Sequence, residues 1–146
     1  MIVVVDANII VSAIINPQGI IPFLLFNASD KIDFVVPQFI IEEIELHQSK
    51  IIKAAKITRP KFQSLFTAIK ENLLIFSDDL VDDESLDKAI ILTKSIDEKD
   101  TIYIAFALAL DALFWTGDIK LKNALAKKGF PNSVSTKQLN EIIKGL

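Results

Sequence analysis

The stretch IVVVDANIIVSAII, residues 2–15, decides the predicted fold of this chain. Four consecutive apolar residues at its start are typical of a strand that is covered on both faces of a sheet. The run stops at Asp6, and residues 7–15 are interpreted as a helix that ends at Asn16 and Pro17. In an open parallel α/β sheet, ligands bind outside the carboxyl ends of the strands. Asp6 is therefore a candidate site residue.

Strand-like and helical stretches alternate along the rest of the chain. We predict further strands at residues 34–36, 73–76 and 113–115, and a short fifth strand at 133–135. Helices are predicted at residues 7–15, 20–28, 37 to about 57, 60 to about 72, 97–111 and 121–128, followed by a last helix. A further helix follows the acidic stretch 77–85 and runs to about residue 94. Strands that alternate with helices predict a parallel sheet with helices on both sides.

Composition and charge limit the classes of function. The chain has 146 residues, of which 51% are hydrophobic, and this predicts one domain over residues 1–146 with an ample core. There is no cysteine, which excludes disulfides, zinc-thiolate sites and thiol nucleophiles, and fits a reducing, cytoplasmic compartment. The net charge is −3, so any binding of nucleic acid must depend on local charge. Asp6, Asn8 and Ser12 interrupt the apolar start of the chain, which predicts neither a signal peptide nor a membrane span.

Two aspartates follow predicted strands directly. Asp6 follows the first strand, and Asp118 follows the aromatic strand at residues 113–115 through Thr116 and Gly117. Each aspartate has an ordinary explanation as the N-cap of the next helix. A carboxylate at the end of a central strand is also partly desolvated, and it then needs a cation or several donors. Thr116 offers a hydroxyl that could orient a carboxylate or a water molecule.

Helix geometry distinguishes the neighbouring acids Glu42 and Glu43. At roughly 100° per residue, the inward stripe consists of Ile40, Ile44, His47 and Ile51. Glu43 lies about 60° from the centre of this stripe, while Glu42 points almost directly away. Glu43 is therefore predicted at the edge of the core, either as a boundary residue near a helix end or as part of a site. His47 is spaced to pair with Glu43, and we interpret it as a structural residue.

Asp97 and Asp100 precede the most apolar helix of the sequence. Asp97 is interpreted as its N-cap, with Asp100 at the third helical position, which is a carboxylate analogue of the capping box. Asp100 directly precedes the buried run at residues 102–110, so we favour Asp100 over Asp97 as a metal ligand. This helix is predicted to be the most buried of the chain.

Taken together, four motifs carry a resemblance to a known family over essentially the whole chain. They are VVVDANIIVSAI at residues 3–14, P-x5-E-I at 37–44, D-x2-D-x4-A-x-A at 97–107 and TGD at 116–118. In order and spacing they resemble a PIN domain. The resemblance implies a Rossmann-like three-layer sandwich with a central, mostly parallel sheet of four to five strands flanked by helices. One departure is Ala7, where the family often has threonine.

The resemblance also implies a function and a set of site residues. It implies that acids bind Mg²⁺ or Mn²⁺ and hydrolyse phosphodiester bonds, usually of RNA. The matching positions are Asp6, Glu43, Asp100 and Asp118 as catalytic residues, with Asp6, Asp100 and Asp118 as metal ligands. The supporting polar residues are Asn8, Ser12, Asp97 and Thr116. Four carboxylates packed together are expected to raise at least one pKa through mutual repulsion.

The opening of the chain is also similar to bacterial PIN-domain toxins of toxin–antitoxin pairs. That similarity implies an RNA substrate, an antitoxin protein as partner and compatibility with a homodimer. The alternative is a non-catalytic PIN-fold module that binds RNA or a partner. A haloacid-dehalogenase-type phosphatase is disfavoured because Asn8 stands where that chemistry needs a second aspartate. A response-regulator receiver is disfavoured because Ser77 follows the third strand where a phosphoacceptor is needed.

Overall fold

A single five-stranded parallel sheet forms the centre of the protein in the computed structural model, which describes all residues 1–146. The strand order is β3-β2-β1-β4-β5, and every neighbouring pair is parallel. The predicted α/β class, the parallel sheet and the number of strands are confirmed. The strands are β1 (Ile2–Val5), β2 (Asp33–Pro37), β3 (Leu74–Phe76), β4 (Leu113–Trp115) and β5 (Ser133–Val134).

Nine α-helices flank the sheet. Two short 3-10 turns, Asp78–Leu80 and Glu98–Asp100, precede the sixth and seventh helices. The helices are α1 (Ala7–Ile15), α2 (Ile20–Asn27), α3 (Gln38–Leu46), α4 (Gln48–Ala55), α5 (Arg59–Lys70), α6 (Asp83–Thr93), α7 (Thr101–Leu110), α8 (Ile119–Lys127) and α9 (Thr136–Lys144).

The chain reverses its direction across the sheet between β1 and β4. Strands β1, β2 and β3 progress toward one edge, whereas β4 and β5 lie on the other side of β1. Because parallel crossovers are right-handed, the helices that follow these two sets of strands cover opposite faces of the sheet. Val5 pairs with Trp115, and the Asp6 amide donates to the Trp115 carbonyl at 3.1 Å. Asp6 and Thr116 therefore leave the sheet side by side at the point of reversal, where open α/β sheets form a binding crevice.

The core contains 36 buried hydrophobic residues in one cluster. Trp115 is fully buried at its centre, 5.8 Å from the Phe34 ring, and its indole N–H donates to Thr136 Oγ1 at 3.1 Å. Helix α7 is the only α-helix without an exposed residue, as its apolar sequence predicted. The helix that begins beside Asp100 is thus anchored along its whole length.

The predicted helix over residues 37–57 was wrong, because the chain breaks at His47 into α3 and α4. The backbone at His47 is not helical, with φ −98° and ψ 18°, and the Gln48 side chain donates to the Glu45 carbonyl at 3.0 Å. Ile44 and Ile51 remain buried on either side of the break, whereas the His47 side chain is 60% exposed and not part of an inward stripe. The spacing of apolar residues fits both one continuous helix and two helices that meet at His47, so it could not predict the break.

Most other boundaries agree with the prediction to within one or two residues, and the start of α7 differs by type. Helix α5 begins at Arg59 because the Thr58 hydroxyl accepts from the Lys61 amide at 3.2 Å. Helix α8 begins at Ile119 directly after Asp118, and the predicted first turn of α7 is the 3-10 turn Glu98–Asp100.

No single helix has the length and apolar character to cross a membrane, although α1 and α2, bent by 110°, pass that test as a pair.

Candidate active site

Asp6 caps α1 and also lies at the carboxyl edge of the sheet. Its Oδ1 accepts from the Asn8 amide at 3.1 Å, and its Oδ2 accepts from Thr116 Oγ1 at 2.8 Å. The residue is only 5% exposed, and this burial raises the pKa of its carboxyl despite the two hydrogen bonds. The N-cap and the strand-end interpretation of Asp6 therefore both hold.

Thr116 connects the two aspartates that follow β1 and β4. Its buried hydroxyl donates to Asp6 and accepts from the Asp118 amide at 3.1 Å. The hydroxyl donates its only proton to Asp6, while the Asp118 amide fixes the position of the hydroxyl oxygen. The orientation of the Asp6 carboxylate therefore depends on the loop that carries Asp118. Thr116 thus orients a carboxylate, as expected of a hydroxyl at this position.

Asp118 divides its two carboxylate oxygens between two environments. Oδ1 accepts from the Leu121 amide at 3.0 Å and caps α8, while Oδ2 has no protein donor. A residue with a side chain would also fit at position 117, since a Cβ on Gly117 would contact only Ile9 Cδ1, at 4.0 Å. One oxygen of Asp118 therefore stabilises the fold and the other remains available for a ligand.

Asp100 makes no side-chain hydrogen bond within the protein. It occupies the N-cap position of α7 without capping it, while the Asp97 carboxylate accepts from the Lys99 amide at 2.9 Å. Asp97 caps the 3-10 turn and Asp100 is the third residue of that turn, but the predicted capping-box analogue does not form, because the Asp100 carboxylate accepts no hydrogen bond from the Asp97 amide. Burial, and then the charges of Asp6, Asp97 and Asp118, raise the pKa of Asp100 to about 7. Mutual repulsion was expected to raise a pKa here, but burial is the larger cause.

The two glutamates of α3 point in different directions, as the helix geometry predicted. Glu43 is half-buried and lines the cleft beside Asp6, whereas Glu42 is exposed and accepts from Gln38 Nε2 at 3.3 Å. Glu43 Oε2 lies 3.4 Å from Nε2 of His47, one turn along the chain. The predicted pairing of His47 with Glu43 is present, although the corner at His47 was not foreseen.

A cleft of about 430 Å³ contains all four predicted catalytic acids. Asn8 and Asp97 also line it, whereas Ser12 is exposed and lies beside a separate small cavity near Asn16. Ser12 is six residues beyond Asp6, which is about 9 Å along the axis of a helix. The cleft is lined by Asp6, Ala7, Asn8, Phe39, Ile40, Glu43, Asp97, Lys99, Asp100, Tyr103, Asp118 and Leu121.

Lys99 and Tyr103 are cleft residues that the sequence analysis missed. Tyr103 is the only tyrosine in the chain and follows Asp100 by three residues. Residues at this spacing share one face of a helix, so a single polar side chain in an apolar run could have indicated the wall of the cleft. The apolar spacing of that run by itself predicts only a core helix.

The acids fit a hard divalent cation that keeps part of its water. No three acidic or histidine side chains converge closely enough to enclose an ion by themselves. Mg²⁺ commonly keeps several waters and uses only one or two carboxylates, and Mn²⁺ accepts similar oxygen ligands. Oδ2 of Asp118 and both oxygens of Asp100 have no protein donor and are available for such a cation or its waters.

Comparison with known proteins identifies similar chains. A family profile described as PIN domain matches residues 4–142. A chain in the crystal structure of VapBC2 from Rickettsia felis bound to a DNA fragment from their promoter has a TM-score of 0.67 and 20% sequence identity. That likeness covers 92% of this chain and 97% of the other, and at this identity it concerns the fold. No curated protein matches the chain.

Proposed function

Since the chain belongs to the PIN-domain family, we propose that it is a divalent-metal-dependent endoribonuclease acting on single-stranded RNA. The convergence of Asp6, Glu43, Asp100 and Asp118 on one cleft carries this proposal. The pKa of Asp100 is raised to about 7, so near neutral pH this carboxyl is partly protonated. A divalent cation can displace that proton and bind the carboxylate in its place. Carboxylates that line one cleft repel one another, and a bound cation would relieve this repulsion.

Each acid has a distinct place in the proposed hydrolysis. Asp6, Asp100 and Asp118 would hold Mg²⁺ or Mn²⁺, which when bound neutralises charge on the phosphate and acidifies a water molecule. Glu43 stands on the wall formed by α3 and accepts the proton of the attacking water. Thr116 keeps Asp6 in one orientation, so little rearrangement is needed during the reaction.

The surroundings of the cleft support an extended RNA strand as substrate. On one side the cleft continues into a groove of about 410 Å³ that contains Lys50 and shares Asn8 and Glu43 with it. On the other side it continues into a groove of about 350 Å³ that contains Lys120 and shares Asp97, Asp100 and Asp118 with it. Lysines on both sides of an acidic centre can hold the phosphates that flank the bond to be cleaved.

An antitoxin protein is the proposed partner, and the cytoplasm is the proposed location. The similarity in fold to a chain of VapBC2 extends over 92% of this chain and supports a role as the toxin of such a pair. Exposed apolar side chains on α1 and α2, which include Ile20, Phe23 and Phe26, offer a surface for a partner. Co-purification with the product of the adjacent reading frame tests this assignment, and sedimentation tests a homodimer.

The decisive experiment on the activity is cleavage of a fluorescent single-stranded RNA. We expect cleavage in Mg²⁺ or Mn²⁺, none in excess EDTA, and recovery when the metal is restored, because the proposed attacking water is acidified by the bound metal. Cleavage that persists in EDTA contradicts the metal mechanism. RNA binding without cleavage at any metal concentration establishes the alternative, a non-catalytic RNA-binding module.

Glu43→Gln and Glu42→Gln form a matched pair for testing the role of Glu43. We expect Glu43→Gln to lower the rate of RNA cleavage by about 100-fold, which is typical for loss of a general base. Glu42→Gln changes the same charge on the next residue, but its side chain points to solvent, so the rate should stay within about twofold. Steady-state kinetics of both variants would contradict the proposed base if their effects were equal or reversed.

A further inference from the structure

Tyr103 is a buried polar residue in the wall of the acidic cleft. It is 4% exposed, and its ring stacks on Phe114 with centroids 5.3 Å apart. Its hydroxyl oxygen accepts from the amide of Ala7, the first residue of α1, at 3.0 Å. The hydroxyl therefore lies between α7 and the helix that Asp6 caps.

The proton of the Tyr103 hydroxyl has no acceptor in the protein. The bond to Ala7 uses the oxygen as an acceptor, and no carboxylate lies within hydrogen-bonding distance of the hydroxyl. A tyrosine hydroxyl can donate one hydrogen bond as well as accept, so the free donor at the wall of the cleft is available to a ligand that accepts. Burial, and then the negative charge of Asp6, raise the pKa of Tyr103, which keeps the donor protonated at every working pH.

We propose that Tyr103 binds the RNA strand by donating a hydrogen bond to a phosphate oxygen in the cleft. This inference rests on the proposed function, since it assigns a substrate contact to the same site. A neutral donor suits this position because the acids around it repel a phosphate, whereas Tyr103 attracts one without adding charge. Stacking on Phe114 and the bond from Ala7 fix the hydroxyl before the substrate binds, so no rotamer freedom is lost on binding.

Because Tyr103 is the only tyrosine, one labelled carbon reports on it alone. Protein labelled with ¹³C at the tyrosine Cζ gives a single resonance, which responds to hydrogen bonding by the hydroxyl. We expect this resonance to shift when a 2′-O-methyl oligoribonucleotide saturates the protein in Mg²⁺, with gel analysis of the same sample showing that the strand stays intact. Mg²⁺ alone should shift it less. An unchanged resonance with saturating oligonucleotide overturns the proposal.

Tyr103→Phe removes the hydroxyl and keeps the ring. We expect the affinity for the same oligonucleotide to fall about 10-fold, as for loss of a hydrogen bond to a charged group. Replacement of Tyr103 by p-aminophenylalanine restores a donor and should recover most of that affinity, whereas a merely structural role would not be rescued in this way. Ser133→Ala is the matched control, since Ser133 Oγ is buried without any partner, and its affinity should be unchanged.

These measurements separate the contact made by Tyr103 from the chemistry of the site. If Tyr103→Phe binds the oligonucleotide within twofold of wild type while wild type cleaves RNA, only the assignment of Tyr103 is wrong. If the resonance shifts and affinity falls while wild type cleaves nothing, the phosphate contact stands and the nuclease proposal fails. If wild type neither binds nor cleaves RNA, both are overturned.

Discussion

Asp118→Asn is expected to lower the rate of RNA cleavage by about a thousandfold while leaving the fold intact. The cleavage rate depends on the charge of the carboxylate, and a metal contact worth several kcal/mol corresponds to a change of about this size. The fold depends on Oδ1, which caps α8 by accepting from the Leu121 amide at 3.0 Å. An asparagine carbonyl can accept that same bond, because asparagine is as good an N-cap as aspartate. The substitution thus separates the two roles of the residue.

The matched control is Asp82→Asn, which makes the same chemical change at another helix N-cap. Asp82 caps α6 by accepting from the Ser85 amide at 3.3 Å, and it does not line the cleft. Its cleavage rate should therefore remain within about twofold of wild type, as for a substitution away from the site. Initial rates in Mn²⁺ and thermal melts of the two variants decide the matter. A folded Asp118→Asn variant that retains a tenth of the wild-type rate would remove Asp118 from the metal site.

Asp6→Asn and Asp100→Asn are expected to abolish cleavage as well, but they differ in what they do to the structure. Asp6 uses both carboxylate oxygens within the protein, with Asn8 and Thr116, so its substitution disturbs two hydrogen bonds. Asp100 uses neither oxygen, so its substitution disturbs none. Asp100→Asn is therefore the cleaner test of charge in the cleft.

The sequence predicted those side-chain positions in the candidate site that depend on neighbouring residues alone. Asp6 and Asp118 follow apolar runs directly, and the end of a strand is a position that a short stretch of sequence defines. Glu43 was separated from Glu42 by the period of one helix, and this succeeded because both lie before the break at His47. In each case a few neighbouring residues determine where the side chain points.

The features that the sequence did not predict depend on contacts between distant segments. The sequence predicted that Thr116 could orient a carboxylate but not which one, since its hydroxyl reaches Asp6 across 110 residues. The bond between the Tyr103 hydroxyl and the Ala7 amide, across 96 residues, was not predicted at all. The break at His47 and the 3-10 turn that ends at Asp100 were not predicted, because apolar spacing fits both a regular and an interrupted helix. From sequence, a helix N-cap and a metal ligand are alternative explanations of Asp118. In the structure one carboxylate oxygen caps α8 and the other remains free, so the two roles are compatible.

Asp100→Asn is expected to raise the melting temperature of the metal-free protein at pH 8 and to change it little at pH 4. Burial and neighbouring charges raise the folded-state pKa of Asp100 from 3.8 to about 7. An acid whose pKa is raised by folding contributes stability below its unfolded pKa, and that contribution is lost as pH rises through the folded value. Wild type therefore loses stability between about pH 4 and pH 7, and an asparagine, which does not titrate, avoids this loss.

The expected difference at pH 8 is roughly 2–6 °C, which corresponds to about 1–2 kcal/mol for a chain of this size. The full pKa shift would correspond to about 4 kcal/mol, but Asp100 is only partly buried and water around it reduces the penalty. Asp82→Asn should act in the opposite direction at pH 8, because its hydrogen bond to Ser85 lowers the pKa of Asp82. Thermal melts in EDTA at pH 4 and pH 8 measure both effects.

Added Mn²⁺ links this stability difference to the proposed site. A cation that binds only the folded protein stabilises it by mass action, and it competes with the proton on Asp100. Mn²⁺ should therefore raise the melting temperature of wild type more at pH 8 than at pH 5, and raise that of Asp100→Asn little at either pH. If Mn²⁺ stabilised wild type and Asp100→Asn equally at pH 8, the ion would bind elsewhere. The convergence of acids on this cleft would then no longer support a nuclease.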